Sequence, residues 1–137
     1  MRINSYLIFD GDCEAAFNRY AEVLGAQLSL FRFGESPARD EVPVEFHQRI
    51  MHVCLQVGEQ QLMGSDSLPT HPGNGFKGFS ISLNVDSIDE AERLFGALAE
   101  GGGIQMPLAE TFWAKRFGML TDRFGVSWMI NHSLPVN

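Results

Sequence analysis

The order of predicted secondary-structure elements occurs twice along the chain, and this repeat constrains the fold more than any single motif. In each half, a β-prone segment precedes an amphipathic helix, and three more β-prone segments follow. Four identities 76 positions apart accompany the repeated order: Asp10, Glu14, Ala15 and Gly25 match Asp86, Glu90, Ala91 and Gly101. The repeat predicts an α+β fold with two βαβββ modules, at residues 1–66 and 77–137 of a single domain. We expect each helix on an outer face and the two curved, mixed sheets around a cavity.

The first module has local signals for its helix and its strands. Ile3 to Phe9 is apolar and β-prone, and apolar residues then recur at helical spacing from Cys13 to Leu24. Asp12 is expected to cap this helix, and Gly25 is expected to end it. The remaining strands of the module are predicted at three places: Gln27 to Phe33, Met51 to Val57, and Gln61 to Ser65.

The second module begins with strict alternation of apolar and polar residues in a predicted strand from Lys77 to Val85. Ser87 and Glu90 have the spacing of a capping box, which predicts a helix that ends before the glycine run at Gly101 to Gly103. The remaining strands are predicted at three places: Ile104 to Thr111, Trp113 to Thr121, and Phe124 to His132.

Composition and charge argue against several classes of partner. The net charge of −7 does not suit a protein that binds nucleic acid or an anionic membrane. No apolar stretch reaches the roughly 20 residues of a transmembrane helix, and the N-terminus has no signal-peptide pattern, so we expect a cytoplasmic protein. Cys13 and Cys54 form no CxxC motif, which indicates neither a disulfide framework nor a cysteine zinc site.

Three segments together resemble one superfamily over nearly the whole chain: YLIFDGDCEAAFNRYAEVLGA, MHVCLQVGEQQLMGSD and GGGIQMPLAETFWAKRFGMLTDRFGVSWMIN. The sequence is similar to the vicinal oxygen chelate superfamily of glyoxalases, bleomycin-resistance proteins and dioxygenases, and within it to the PhnB-like group. The resemblance implies a homodimer. Proteins of this group also carry a ubiquinone-methyltransferase label, but no glycine-rich turn from a strand to a helix is visible here, since Gly101 to Gly103 follow a helix.

The metal enzymes of this superfamily hold their ion with His, Gln or Glu on four inner strand positions. Carried over one at a time, these positions correspond to Ser5, Met63, Ser80 and Met129. Serine and methionine side chains are poor ligands for the divalent cations that such sites hold. The resemblance therefore implies a relative with no inherited metal site, and we expect no cofactor.

His52 is the strongest single candidate for chemistry. In the predicted strand it alternates with Val53, so it shares a face with Cys54. If that face lines the cavity, His52 can act as an acid, a base or a hydrogen-bonding group; the alternative is a histidine that bonds only to its sheet neighbours. Cys54 is expected to be a small buried apolar residue. Cys13 lies at a helix N-terminus, where the dipole lowers the pKa of a thiol, but no partner is evident and we expect an incidental first-turn cysteine.

A polar strand face and two methionines complete the predicted ligand-binding set. Ser80 and Ser82 lie on one face of their predicted strand and are expected to face either a ligand or solvent. Met63 and Met129 suit an adaptable pocket floor, or ordinary core packing. Trp113 is expected at the cavity rim, whereas Trp128 is expected to pack under a helix.

Two function classes agree with these residues. The first is metal-independent binding of a small, largely uncharged organic molecule between the modules. The second is an enzyme, a lyase, isomerase or dioxygenase, that uses a relocated metal or His52 as the acid and base. The sequence does not choose between them.

Overall fold

The computed structural model describes residues 1–135, so the last two positions of the predicted second module lie outside the described residues. The chain divides into two compact units, the first spanning Met1–Gly75 and the second beginning at Phe76. Each unit contains a four-stranded mixed sheet and one long helix. The predicted α+β class with two βαβββ modules is confirmed.

The first unit has its four strands in the order β1-β4-β3-β2, with β1 parallel to β4 and the other pairs antiparallel. Its main elements are β1 (Ser5–Phe9), α1 (Cys13–Leu24), β2 (Gln27–Arg32), β3 (Ile50–Val57) and β4 (Gln60–Asp66). Three short 3-10 turns lie between β2 and β3: Phe33–Glu35, Arg39–Glu41 and Val44–Phe46. The last of them ends at Phe46, whose side chain lines a pocket at the end of the first sheet.

The second unit repeats this order as β5-β8-β7-β6, again with one parallel pair, β5 and β8. Its elements are β5 (Ile81–Asn84), α2 (Ile88–Ala99), β6 (Gly103–Ala109), β7 (Ala114–Thr121) and β8 (Ser127–Ser133). Neither helix of residues 1–135 has the length and apolar character that spanning a bilayer requires.

Glycines let each helix pack closely on its sheet. The ring of Phe17 on α1 lies over Gly64 of β4, where an added Cβ would be 2.8 Å from the ring. The ring of Phe95 on α2 lies over Gly118 of β7, where an added Cβ would be 2.6 Å away. The helix-facing side of each sheet is therefore a tightly packed core. The opposite side of each sheet does not take part in this packing against the helix.

The start of α1 is stabilised by a residue far away in sequence. Asp12 occupies the N-cap position but accepts no side-chain capping hydrogen bond. Instead, Asp66, at the end of β4 and buried, accepts hydrogen bonds from the backbone N–H groups of Gly11 (2.9 Å), Cys13 (3.0 Å) and Ile50 (2.9 Å). Asp12 is therefore the N-cap residue, as expected, but its side chain does not cap α1, and the carboxylate of Asp66 accepts the hydrogen bonds at this helix start instead.

A second buried carboxylate organises the β7–β8 turn. Asp122 Oδ1 accepts from the N–H groups of Phe124 (2.9 Å) and Val126 (3.0 Å), and its Oδ2 accepts from the indole Nε1 of Trp128 (2.8 Å). Trp128 is fully buried, as expected for a core residue.

Candidate functional site

We use "helix-free face" for the side of a sheet that points away from its own helix. In the first unit, one row of paired residues crosses all four strands on this face: Tyr6, Met63, Cys54 and Ser29. A neighbouring row contains Ile8 and Ser65 as one pair and His52 and Phe31 as another. The face thus combines hydroxyl, imidazole, sulfur and aromatic groups, whereas the buried Leu7, Val53 and Leu55 belong to the helix-facing side.

Tyr6 and His52 form a hydrogen-bonded pair on this face. The Tyr6 hydroxyl lies 3.1 Å from His52 Nδ1, and the two rings stack with their centroids 5.7 Å apart and a 28° angle between planes. His52 Nε2 has no hydrogen-bond partner within residues 1–135. When the tyrosine O–H donates to Nδ1, the neutral imidazole carries its proton on Nε2 and can donate it to a bound molecule.

Two sulfur residues lie beside this pair. Met63 is the partner of Tyr6 in the parallel β1–β4 register, and Cys54 is the antiparallel partner of Met63. Both side chains are half-buried. A flexible thioether and a small thiol give this part of the face an adaptable, weakly polar surface.

Cys13 has a different environment from Cys54. Burial raises the pKa of the Cys13 thiol above its ordinary value, and the carboxylates of Asp66, Asp12 and Glu14 raise it further. These effects oppose the lowering of the pKa that a helix N-terminus produces, so the first-turn position does not make Cys13 reactive, in agreement with the expected incidental cysteine. Cys13 is therefore a protonated core thiol and a poor nucleophile.

The helix-free face of the second unit is polar on β5 and more apolar on β7. Ser82 pairs with Met129, which pairs with Met119. In the next row, Asn131 Nδ2 donates to Asn84 Oδ1 at 3.0 Å.

Trp113 continues an aromatic cluster on this second face. It is 45% exposed, and its ring contacts Phe112 and Phe117 with centroids 4.7 and 5.4 Å apart. Phe117 is the register partner of Asn131, so Trp113 lies next to the helix-free face of its own unit.

The four inherited ligand positions do not provide a metal-binding donor set. Ser5 lies on the side of β1 that carries Leu7, and the neighbour of Met63 on the helix-free face is Tyr6. Ser80 precedes β5, and the neighbour of Met129 is Ser82. Phenol, thioether and hydroxyl groups do not replace the imidazoles and carboxylates of such sites. Within residues 1–135, no three His, Cys, Asp or Glu side chains group closely enough to hold an ion.

The glycine run after α2 has a packing role. An added Cβ at Gly102 would collide with the carbonyl oxygen of Thr121 and with the backbone of Asp122. The close approach of the two backbones explains why this position is glycine. A loop that binds a nucleotide or S-adenosylmethionine is not needed to account for it.

The structure puts His52, Cys54, Met63, Ser82 and Met129 on helix-free faces, and their role in ligand binding stays a prediction. Sequence reasoning missed Tyr6. The signal was available: Leu7 and Phe9 are the most apolar alternating pair of β1, which leaves Tyr6 for the opposite face. The resemblance to the metal enzymes pointed to Ser5 instead, which lies on the opposite side of β1 from Tyr6.

Comparison with known proteins gives concordant matches over almost the full chain. A family model described as 3-demethylubiquinone-9 3-methyltransferase matches residues 1–131. The protein YjdN of Escherichia coli strain K12 is 38% identical over 141 residues, which cover 96% of this chain and 95% of YjdN. The crystal structure of protein PA1353 from Pseudomonas aeruginosa is 54% identical with a TM-score of 0.90, and the alignment covers 97% of this chain and 98% of PA1353.

More distant structures extend the likeness. A Bacillus cereus protein described as a putative 3-demethylubiquinone-9 3-methyltransferase, PhnB protein, is 27% identical with a TM-score of 0.80, covering 97% of this chain and 100% of that chain. A glyoxalase/bleomycin resistance protein/dioxygenase family enzyme from Burkholderia phytofirmans shares the fold at 21% identity and a TM-score of 0.63, covering 95% and 98% of the two chains.

Proposed function

The chain belongs to the PhnB-like 3-demethylubiquinone-9 3-methyltransferase family, and we propose that it binds a small organic molecule, without a metal ion, on the helix-free face of its first sheet. The observation that carries this proposal is the Tyr6–His52 pair, whose imidazole Nε2 remains available on a face that also holds Cys54 and Met63.

The groups on this face favour a particular class of ligand. Tyr6, His52 and Phe31 present three rings, and Phe31 is 54% exposed. Flat, unsaturated molecules gain from contact with aromatic rings in offset or edge-to-face geometry. The imidazole supplies one directional hydrogen bond, and no Lys or Arg lies in the two rows to pair with an anion. The best fit is therefore a small, uncharged, partly unsaturated molecule with one hydrogen-bonding group.

Ligand-detected NMR against a library of uncharged metabolites tests this proposal. For a library member that binds, His52→Leu is expected to weaken affinity about tenfold, because one hydrogen bond and one ring contact are lost. Tyr6→Phe keeps the ring and removes only the hydroxyl, so a loss of about two- to fivefold is expected. His71→Leu is the matched control, since the His71 side chain is exposed in a loop and contacts the Thr70 hydroxyl rather than the two rows. Binding that both site variants leave unchanged would place the ligand elsewhere.

A second function, an enzyme with His52 as general acid and base, is favoured by the same hydrogen bond. Tyr6 orients the imidazole through Nδ1, which leaves Nε2 for proton transfer to a bound substrate. This arrangement suits a lyase or an isomerase, whereas a dioxygenase would need a metal at a site other than the inherited one.

Elemental analysis of untagged protein tests for a relocated metal, and it separates both metal-free functions from an enzyme that depends on a bound ion. We expect metal far below one ion per chain, because the helix-free faces lack a borderline or hard donor set. One ion per chain that survives dialysis would contradict metal-independent binding and favour the enzyme with a relocated metal. Homodimerisation and a cytoplasmic location stay predictions that rest on the resemblance and the composition.

A further inference from the structure

A pocket of about 240 Å³ lies at the end of the first sheet where β1 and β4 finish, and its lining residues differ from those of the two rows on the helix-free face. Its walls include Asp10, Phe46, Arg49, Leu68, Pro69 and Pro72. The lining combines apolar side chains with a guanidinium beside a carboxylate. Since pockets for drug-sized ligands measure about 300–1,000 Å³, this pocket suits a smaller molecule.

Arg49 is held in place by one end of its guanidinium group. Nη1 donates to Asp10 Oδ1 at 3.0 Å and to the carbonyl oxygen of Ser67 at 2.8 Å. The guanidinium carbon lies 5.1 Å from the centre of the Phe46 ring. The Arg49 side chain is only 25% exposed, so these contacts fix its orientation in a partly desolvated position.

The other edge of the guanidinium is unused. Nε and Nη2 have no hydrogen-bond partner in the part of the chain that the structure describes, although an arginine has five N–H donors. Gly11 borders this edge, and a Cβ added to it would lie 3.3 Å from Nη2. The Nε–Nη2 edge of an arginine matches the two oxygens of a carboxylate, which can accept two parallel hydrogen bonds.

We propose that this pocket binds a short aliphatic carboxylate, with its oxygens on Nε and Nη2 of Arg49 and its chain against Leu68, Pro69 and Pro72. A single negative charge fits better than two, because Asp10 already lies on the opposite end of the guanidinium and the whole chain carries −7. An inorganic phosphate dianion is therefore a weaker ligand than a monocarboxylate.

The helix N-terminus beside this pocket is not the binding group. The N–H groups of Gly11 and Cys13 both donate to Asp66 Oδ1, at 2.9 and 3.0 Å. The buried Asp66 carboxylate thus takes the place of an exogenous anion at α1. Arg49 is therefore the cationic group of the pocket, and its Nε–H and Nη2–H groups are the donors that a ligand can use.

Titration of isotope-labelled protein with sodium hexanoate tests this site by NMR, through the Arg49 Nε–H signal and the backbone amide signals of the non-proline residues among 67–73. We expect saturable shifts at millimolar concentrations, weaker shifts with inorganic phosphate, and almost none with n-hexanol, which has the same chain without the charge. Equal shifts with n-hexanol and hexanoate, or no shift of the Arg49 Nε–H, would overturn the proposal.

Variants locate the carboxylate. Arg49→Lys keeps the charge and loses the two-donor edge, so hexanoate affinity is expected to fall about tenfold. Arg39→Lys is the matched control, because the Arg39 side chain is 64% exposed and pairs with the adjacent Asp40 at the surface. Affinity unchanged by Arg49→Lys in folded protein would contradict the assignment.

If Arg49→Lys unfolds the chain, Leu68→Ala provides a second test of the carboxylate site. This variant shortens the apolar wall and leaves the guanidinium in place. The preference for hexanoate over acetate is therefore expected to shrink severalfold while acetate affinity stays the same. An unaltered preference would show that the aliphatic chain does not occupy this pocket.

Discussion

Replacing Asp66 by asparagine is expected to lower the free energy of unfolding by about 2–4 kcal/mol. Asp66 is 4% exposed and accepts three backbone N–H groups, two on Oδ1 and one on Oδ2. Asparagine can reproduce the two bonds on Oδ1, but its NH₂ group would then face the N–H of Ile50, and that buried donor would lose its partner. The substitution also removes the charge that strengthens the remaining bonds.

Urea unfolding followed by circular dichroism measures this effect. Asp10→Asn is the matched control, because the Asp10 side chain is 83% exposed and pairs with Arg49 near the surface. Such a pair contributes about 0–1 kcal/mol. If the two variants lose the same free energy within error, the three hydrogen bonds to Asp66 do not anchor α1, β3 and β4 as described.

The helices were predicted well because most of their end signals are local; the start of α1 is the exception, since its backbone N–H groups bond to Asp66 from β4. α1 spans Cys13–Leu24 as predicted, and Gly25 ends it with the left-handed φ of 62° that glycine adopts without strain. At the start of α2, Ser87 Oγ accepts from the N–H of Glu90 at 3.1 Å, which is one half of the predicted capping box.

Strand ends were predicted less well because they depend on partners and on backbone angles. The predicted strand Lys77 to Val85 is reduced to Ile81–Asn84, since Gly78 has a φ of 80° that interrupts extended backbone. β8 begins at Ser127 rather than at Phe124, because the hydrogen bonds to Asp122 fold residues 122–126 into a turn. Neither the positive φ of Gly78 nor the hydrogen bonds to Asp122 can be inferred from the hydrophobic pattern of the sequence.

The candidate site shows the same division between local and long-range information. Alternation along β3 was enough to put His52 and Cys54 on one face. The contact between His52 and Tyr6 joins residues 46 positions apart and depends on the registers of three strands. The Arg49 pocket was not foreseen at all, because its walls come from three separated loops whose proximity has no local sequence signature.

Replacing Gly118 by alanine is expected to destabilise the second unit by about 1–3 kcal/mol, the usual cost of overpacking a core. The added Cβ would lie 2.6 Å from Phe95 Cε2 and 3.0 Å from Leu108 Cα. The ring can rotate or withdraw, but the backbone of β6 cannot move without disturbing its pairing with β7. Loss of a flexible glycine from the unfolded chain returns only about 0.4–1 kcal/mol, so the steric effect wins.

Gly96→Ala is a control of opposite sign in the helix that carries Phe95. Gly96 lies on the exposed side of α2, and an added Cβ there has no atom within 4 Å. Alanine in a helix interior is favoured over glycine by about 0.8–1 kcal/mol, so this variant is expected to gain stability. Urea unfolding followed by Trp128 fluorescence in a Trp113→Phe background reports both changes from within the second unit. If Gly118→Ala were as stabilising as Gly96→Ala, the ring of Phe95 could not lie against β7, and α2 would pack on its sheet differently.

Phe95→Leu combined with Gly118→Ala tests the same contact, because the smaller side chain relieves the overlap with the new Cβ and the two losses are then less than additive.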